Sequence, residues 1–184
     1  MKILAFYTNG SEDAEFVITV DLLRRARIEC LTVSISDDDF IYTSHNLSTK
    51  PDAKLKDLTD EEIMSYDGLF LPGGKVGVSN LSQCDRLLKI IKEFHDNNKL
   101  VSAICAAPSV LSKAGIMSNH RFTCYDGWET LIDGTYEKAM PYVVDKNVIT
   151  GRSLNYSIDF TLAIIEYLTG SENREKVAKG ILKV

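Results

Sequence analysis

Residues 100–115, LVSAICAAPSVLSKAG, decide the fold, because an apolar run meets a helical pattern there at one cysteine. The first five residues, LVSAI, have the length and apolar character of a buried strand. The segment after Cys105 is rich in small residues and reaches Gly115, which is typical of a helix closed by glycine. A strand that passes directly into a helix predicts one unit of an α/β protein with a mainly parallel sheet.

The rest of the chain repeats this alternation of short apolar runs and periodic helical segments. We predict strands at 2–7, 28–35, 68–74 and 121–125, and a hairpin over 142–150. We predict helices after Ser11 as N-cap, at DEEIMS, over 79–97, over 157–170 and over ENREKVAKGI. Residues 36–57 are expected to be irregular, with a short hairpin around IYTS. No linker or repeat divides the 184 residues, so we predict one domain over 1–184.

Composition and charge exclude several classes of function. Hydrophobic residues make up 45% of the chain and charged residues 26%, which is an ordinary globular balance. The formal net charge is −5 with no basic stripe, so nucleic acid is not an expected partner. The apolar runs are too short to cross a bilayer, and the N-terminus lacks the pattern of a signal peptide. We therefore expect a soluble, cytoplasmic protein with no membrane partner.

The cysteines carry no metal or disulfide pattern. The four are Cys30, Cys84, Cys105 and Cys124. They form no C-x-x-C pair and no Cys/His cluster with zinc spacing, so we predict free thiols and no metal site. The sequence also lacks a glycine-rich phosphate-binding fingerprint, and we expect no cofactor.

Cys105 is the candidate nucleophile, because ligands of open α/β sheets bind at the carboxyl ends of the strands. Free amides at a helix N-terminus favour an anion, so they are expected to lower the pKa of this thiol. The small neighbours Ala103, Ala106 and Ala107 permit a sharp turn that exposes the side chain. The N–H of Ala106 would then help to form an oxyanion hole. A small buried structural cysteine fits the same stretch about equally well.

Two further features bear on this thiol. Gly73 and Gly74 end a different strand, and glycines there allow a close backbone approach to the same pocket. A plain tight turn fits that pair equally well. Glu15 lies on the first predicted helix, where a protonated carboxyl would donate a hydrogen bond to a thiolate. An acid that merely suits the helix dipole, as Glu12 and Asp13 do, fits the same position.

Four segments together resemble the ThiJ/PfpI superfamily, in the branch of the parkinsonism-associated redox protein. They are EDAEFVITVDLLRRA, LFLPGGKVGVSNL, AICAAPSVL and DFTLAIIEYLTG, and they span nearly the whole chain in this order. The resemblance implies an α/β flavodoxin-like sandwich, with a mostly parallel sheet and helices on both faces, that forms a homodimer. It also implies that Cys105 is the reactive cysteine, that Glu15 is the pocket glutamate and that Gly74 and Ala106 supply oxyanion amides.

The resemblance implies a cofactor-free enzyme that acts on methylglyoxal or related small aldehydes without glutathione, as a glyoxalase or protein deglycase. It also implies a thiol that oxidises to a sulfinic acid, which supports the alternative of a non-enzymatic redox sensor or stress chaperone. An amidotransferase-like or peptidase-like hydrolase is the third hypothesis. It is disfavoured because it needs an imidazole within hydrogen-bond reach of the thiol.

The histidines are where this chain departs from the family pattern. Tyr125 occupies the position that aligns with the histidine of many catalytic members, and Ala106 occupies that of the protease-like branch. His45 lies in the irregular segment, where relatives tend to place an arginine near the pocket. His95 is predicted to be a surface residue of the long helix, and His120 is predicted to lie outside the site.

Two residues complete the predicted pocket. Cys124 is adjacent to the tyrosine in FTCYDG, and Arg152 follows the last hairpin, within reach of a substrate or of the dimer partner. Without the histidine, catalysis depends on the thiol and the carboxyl, and Tyr125 and His45 are the pocket residues that could assist them. General acid–base help is worth roughly two to four powers of ten in rate, so we expect weak or modest activity.

Overall fold

The structure, a computed structural model, describes residues 1–183 and is built on one seven-stranded sheet. In chain order the strands are β1 (Lys2–Tyr7), β2 (Glu29–Ser34), β3 (Ile41–Tyr42), β4 (Ser48–Thr49), β5 (Ala53–Lys54), β6 (Gly68–Leu71), β7 (Leu100–Ile104), β8 (Arg121–Phe122), β9 (Thr135–Tyr136), β10 (Tyr142–Asp145) and β11 (Val148–Gly151). The order across the main sheet is β10-β11-β7-β6-β1-β2-β5. Its neighbours run parallel except β10 and β11, which pair antiparallel at one edge.

Helices cover both faces of this sheet. In chain order they are α1 (Asp13–Arg25), α2 (Asp60–Met64), α3 (Lys75–Leu81), α4 (Asp85–Asp96), α5 (Pro108–Lys113), α6 (Ser157–Thr169) and α7 (Ser171–Gly180). The hydrophobic cores place α1, α6 and α7 on one face and α2 to α5 on the other. Within residues 1–183, no helix is both long and apolar enough to cross a membrane.

The alternation of side chains along β1 explains the two layers. Ile3, Ala5 and Tyr7 pack into the core beneath α1 and α6, whereas Leu4 and Phe6 pack into the core on the opposite face. All five are fully buried. A parallel strand that is apolar on both sides needs a layer of helices on each face. The predicted α/β sandwich is therefore confirmed, with its mostly parallel sheet and helices on both faces.

Several predicted boundaries were wrong. Ser11 is not the N-cap of α1, because its Oγ accepts the N–H of Thr8 in the preceding turn and Glu12 holds the cap position. The helix predicted over 79–97 is two helices, α3 and α4, separated by residues 82–84. The predicted strand over 68–74 ends at Leu71, because proline and two glycines follow it.

The strand predicted at 121–125 is also shorter, since β8 includes only Arg121 and Phe122. Two hairpins were predicted correctly. The strands β3 and β4 pair antiparallel within the irregular segment, and β10 and β11 are joined by Lys146 and Asn147. Lys146 has a positive φ of 55°, which such a two-residue connection commonly requires.

Candidate active site

Cys105 lies on a strained turn at the carboxyl end of β7, near the middle of the sheet. Its φ is +64°, in the left-handed region that residues other than glycine seldom adopt. Two hydrogen bonds hold this conformation: the Cys105 N–H donates to Gly151 O at 2.9 Å, and the Tyr125 N–H donates to Cys105 O at 2.8 Å. The turn continues to α5, which begins only at Pro108. The predicted sharp strand-to-helix turn is therefore present.

Glu15 projects from the first turn of α1 toward the Cys105 side chain. The residue is 1% exposed, and its Oε2 accepts the N–H of Gly73 at 2.8 Å. Its Oε1 is buried and has no hydrogen-bond partner within residues 1–183. Burial raises the pKa of Glu15 from its ordinary 4.5 to about 7, against the lowering effects of the Gly73 N–H and the Cys105 side chain. The carboxyl is therefore able to hold a proton at neutral pH.

The predicted lowering of the Cys105 thiol pKa is wrong. Burial raises this pKa most, and the adjacent Glu15 carboxylate raises it further, while the N–H groups of Ala106 and Gly74 lower it. These two amides belong to the turns around the sulfur rather than to the first turn of α5, so they do not outweigh burial. Below about pH 7 both groups therefore hold a proton, and above it Glu15 loses its proton while the Cys105 thiol keeps its own. The Glu15 carboxylate is the adjacent group that can accept the thiol proton.

Gly73 is the contact point between the two side chains. A Cβ added there would lie 2.7 Å from Glu15 Oε2, 2.7 Å from Cys105 Cβ and 3.0 Å from Cys105 Sγ. Gly74 is required for a different reason: its φ is +92°, and a Cβ would clash with the carbonyl oxygen of Gly10. The Gly-Gly turn therefore brings the backbone against both reactive groups, as the sequence predicted.

We expect Gly73→Ala to separate the thiol from the carboxyl. Overpacking of this kind costs about 1–3 kcal/mol of the free energy of unfolding, which urea denaturation measures. The rate of thiol alkylation by iodoacetamide is expected to change in the same variant, because the Glu15 carboxyl, which raises the pKa of the thiol, moves away from it. Gly180→Ala is the control, since a Cβ at Gly180 meets no atom within 4 Å. Equal free energies of unfolding for the two variants would contradict this account of the contact.

A cavity of about 520 Å³ opens over Cys105 and Glu15. It is lined by Glu12, Glu15, His45, Gly74, Lys75, Cys105, Ala106, Tyr125, Trp128, Ser153 and Leu154. The predicted pocket residues Tyr125 and His45 are thus part of the wall. Trp128, Lys75 and Leu154 were not predicted, because no motif links them to the cysteine.

Two predicted pocket residues lie elsewhere. Cys124 is fully buried in the hydrophobic core, where burial raises the pKa of its thiol to about 12. The guanidinium of Arg152 donates to Asp126, with an Nη2–Oδ1 distance of 2.8 Å, in a neighbouring pocket that shares Tyr125 and Ser153 with the cavity. Neither residue lines the cavity over Cys105, because side chains one position from a pocket residue point away from it.

His45 forms an ion-pair cluster at the mouth of the cavity. Its Nδ1 lies 2.6 Å from Asp13 Oδ2 and 3.7 Å from Glu12 Oε1, and Ser44 Oγ donates to Glu12 Oε2 at 2.8 Å. The hydrogen bond with Asp13 and the charges of both carboxylates raise the pKa of His45. The imidazolium is thus more stable here than in a free histidine. Nδ1 is engaged by Asp13, and Nε2 makes no hydrogen bond within the described residues.

Comparisons with known proteins agree with this fold. The DJ-1/PfpI family profile matches residues 1–167. The crystal structure of DJ-1beta from Drosophila melanogaster is similar, with a TM-score of 0.94 at 30% identity over 100% of this chain and 98% of that one. The Parkinson disease protein 7 homologue of Danio rerio is 32% identical over 93% of this chain and 91% of its own.

A third relative carries an activity in its name. The glutathione-independent glyoxalase DJR-1.2 of Caenorhabditis elegans is 30% identical over 92% of this chain and 89% of its own. The family profile covers most of the chain, and the relatives are matched over nearly their whole length. This chain belongs to the DJ-1/PfpI family.

Proposed function

We propose that this protein is a glutathione-independent glyoxalase that converts methylglyoxal, or a related small 2-oxoaldehyde, and water into the 2-hydroxy acid. The observation that carries the proposal is the pair of Glu15 and Cys105 at the base of an open cavity. Glu15 has a buried, unpartnered Oε1 and a pKa of about 7, which suits a group that both donates and accepts protons at neutral pH. The named activity of the nematode relative supports the same reaction.

In the first step the Cys105 thiolate adds to the aldehyde carbon, and a carbon–sulfur bond forms as the carbonyl π electrons move to oxygen. The N–H groups of Gly74 and Ala106, which are directed at the sulfur, stabilise the negative charge that develops. Glu15 then gives its proton to this oxygen. The products of the step are a hemithioacetal and the Glu15 carboxylate.

In the second step Glu15 acts on carbon. Its carboxylate removes the hydrogen of the former aldehyde carbon, and the electron pair forms an enediolate with the adjacent ketone carbon. Glu15 returns the proton to that second carbon, while the hydroxyl proton of the first carbon moves to the second oxygen. The result is a thioester of the hydroxy acid on Cys105. Water hydrolyses the thioester, releasing the acid and restoring the thiol, so the reaction needs no external oxidant or reductant.

His45 is the further group that faces the substrate. We expect His45→Gln to lower kcat/KM about tenfold, because a partly solvated hydrogen bond from the imidazolium to a substrate oxygen is lost. His45→Arg keeps a cation beside Glu12 and Asp13, so it is expected to retain most of the activity. Steady-state kinetics of the two variants make the comparison. Equal losses in both would contradict a role for the positive charge.

The test of the function is lactate formation from methylglyoxal by the purified protein in the absence of glutathione. Turnover above the uncatalysed rate that requires the cysteine and the glutamate supports the proposal. An absence of turnover by protein whose thiol is fully reduced would overturn it.

A redox sensor is the second candidate function. It is favoured by the same groups around the sulfur, which are the N–H groups of Gly74 and Ala106 and the Glu15 carboxyl. A sulfinate at Cys105 would accept hydrogen bonds from the two N–H groups and from a protonated Glu15. Each peroxide equivalent transfers one oxygen atom to sulfur and leaves as water, so two equivalents convert the thiol to the sulfinic acid. Intact-mass spectrometry after peroxide titration would show the gain of two oxygen atoms. A gain of two oxygen atoms at Cys105, in a protein without glyoxalase turnover, would favour this second function.

A further inference from the structure

Two histidines face each other at the end of the sheet opposite the candidate active site. His95 lies in the last turn of α4, and His120 lies directly before β8. Their Nε2 atoms are 3.0 Å apart. His95 precedes the amino end of β7, whereas Cys105 follows its carboxyl end, so the pair is separated from the cavity by the length of that strand.

A carboxylate holds the outer nitrogen of each ring. His120 Nδ1 lies 3.1 Å from Asp145 Oδ2, and His95 Nδ1 lies 3.3 Å from Asp96 Oδ1. The Arg121 N–H also donates to Asp145 Oδ2 at 2.9 Å, which fixes this carboxylate. A carboxylate on the outer nitrogen sets the tautomer and orientation of histidines that ligate metals. Here that arrangement occurs twice, with both inner nitrogens directed to one place.

We propose that His95 and His120 form a binding site for a divalent transition-metal ion, with Zn²⁺ as a suitable occupant. Zinc–nitrogen bonds of 2.0–2.1 Å at tetrahedral angles place two nitrogens about 3.3 Å apart. The observed separation of 3.0 Å needs to open only by a few tenths of an ångström. The side chain of His95 is 25% exposed, which leaves it room to make this adjustment.

The surroundings provide the remaining ligands and suit the charge. A cavity of about 520 Å³ borders both histidines and admits water to the open coordination positions. Asp145 and Asp96 supply two negative charges, against the ammonium groups of Lys146 and Lys92 that border the same cavity. Burial lowers the pKa of His120, with Lys146 adding to this effect, so the ring is favoured in the neutral form that a metal requires.

Metal binding replaces a proton. With the Nδ1–H of each ring donating to its carboxylate, a hydrogen held between the two Nε2 atoms makes one ring an imidazolium, and coordination by both nitrogens releases that proton to solvent. No motif in the sequence indicates the site, since the two histidines are 25 positions apart and neither has a zinc-type spacing.

The test is isothermal titration of the full-length protein with ZnCl₂. We expect a dissociation constant on the order of 10 µM, because two ligands supply about half the binding free energy of a four-ligand structural site. His95→Gln is expected to weaken binding at least about tenfold, since loss of a supporting carboxylate alone has such effects. His45→Gln is the matched control: it removes the histidine of the Glu12–Asp13–His45 cluster and is expected to leave the affinity unchanged.

Location is checked by anomalous diffraction at the zinc edge from crystals grown with ZnCl₂. A peak between the two Nε2 atoms, together with the loss in His95→Gln, supports the proposal. A peak only at Cys105 or at the His45 cluster, or equal affinities in wild type and His95→Gln, would overturn it. Because the readouts are binding and location, they do not depend on the glyoxalase proposal.

Discussion

Replacement of Cys105 by alanine is expected to reduce lactate formation from methylglyoxal at least about a thousandfold, because loss of a covalent nucleophile leaves only binding and oxyanion stabilisation. No other thiol can substitute for it. Cys30 and Cys124 are buried, and Cys84 does not line the cavity. Alanine also fits the space, so the fold is expected to remain intact and the loss is one of chemistry.

Cys84→Ala is the matched control, since it removes a half-buried thiol away from the cavity. Its kcat and KM are expected to equal those of the wild type. Lactate assays of both variants are compared with circular dichroism spectra to verify folding. If the Cys105→Ala protein retained more than a few per cent of the wild-type rate, the covalent mechanism would be excluded.

Replacement of Glu15 by glutamine is expected to change activity and stability in opposite directions. The amide cannot transfer the proton between carbons, so kcat falls by about two to four powers of ten. The amide oxygen can still accept the Gly73 N–H, and the new side chain carries no charge to bury. The variant is therefore expected to be more stable than the wild type at neutral and alkaline pH.

The sign of this effect follows from the pKa of Glu15, which burial raises from 4.5 to about 7 in the folded protein. Between these pH values the folded state keeps a proton that the unfolded state has lost. Stability of the wild type therefore falls as pH rises through this window. The loss approaches about 3 kcal/mol above pH 7, because each pH unit in the window contributes about 1.4 kcal/mol.

Urea denaturation of wild type and Glu15→Gln at about pH 5 and about pH 8 measures this difference. The gap in the free energy of unfolding is expected to widen toward the higher pH. Glu172→Gln is a control for charge alone, because Glu172 is exposed on α7. A gap that stays constant with pH would show that Glu15 is already ionised in the folded protein.

The fold was largely predictable because short segments of the sequence indicate most of its strands and helices. β1 and β7 are short apolar runs next to helical periods, and such alternation predicts a parallel sheet with two helical layers. The errors lie where tertiary contacts replace local signals. Ser11 has the right side chain for an N-cap, but it accepts a hydrogen bond from Thr8 in the preceding turn. The break between α3 and α4 contains neither proline nor glycine, so no local signal in the sequence divides that helix.

The candidate site was predictable only in part. Cys105 and the Gly-Gly turn could be placed, because both follow strands whose carboxyl ends meet at one edge of the sheet. The direction in which the pKa of the Cys105 thiol shifts could not be predicted, since it depends on burial and on Glu15, which is distant in sequence. His95 and His120 were separately assigned to the surface and to a position outside the site. Their contact depends on how α4 packs beside β7 and on how β8 packs beside β10.

The members of the candidate site come from three distant parts of the chain, and this has a consequence for how the protein folds. Glu15 follows β1, Gly73 follows β6 and Cys105 follows β7, and these strands are adjacent in the order β7-β6-β1. Parallel pairing between remote segments is slow, because a long loop must close before any contact forms. The contact of Glu15 and Cys105 with Gly73 can exist only after both pairings are complete. The chemical reactivity of Cys105 therefore reports whether β7, β6 and β1 have paired during folding.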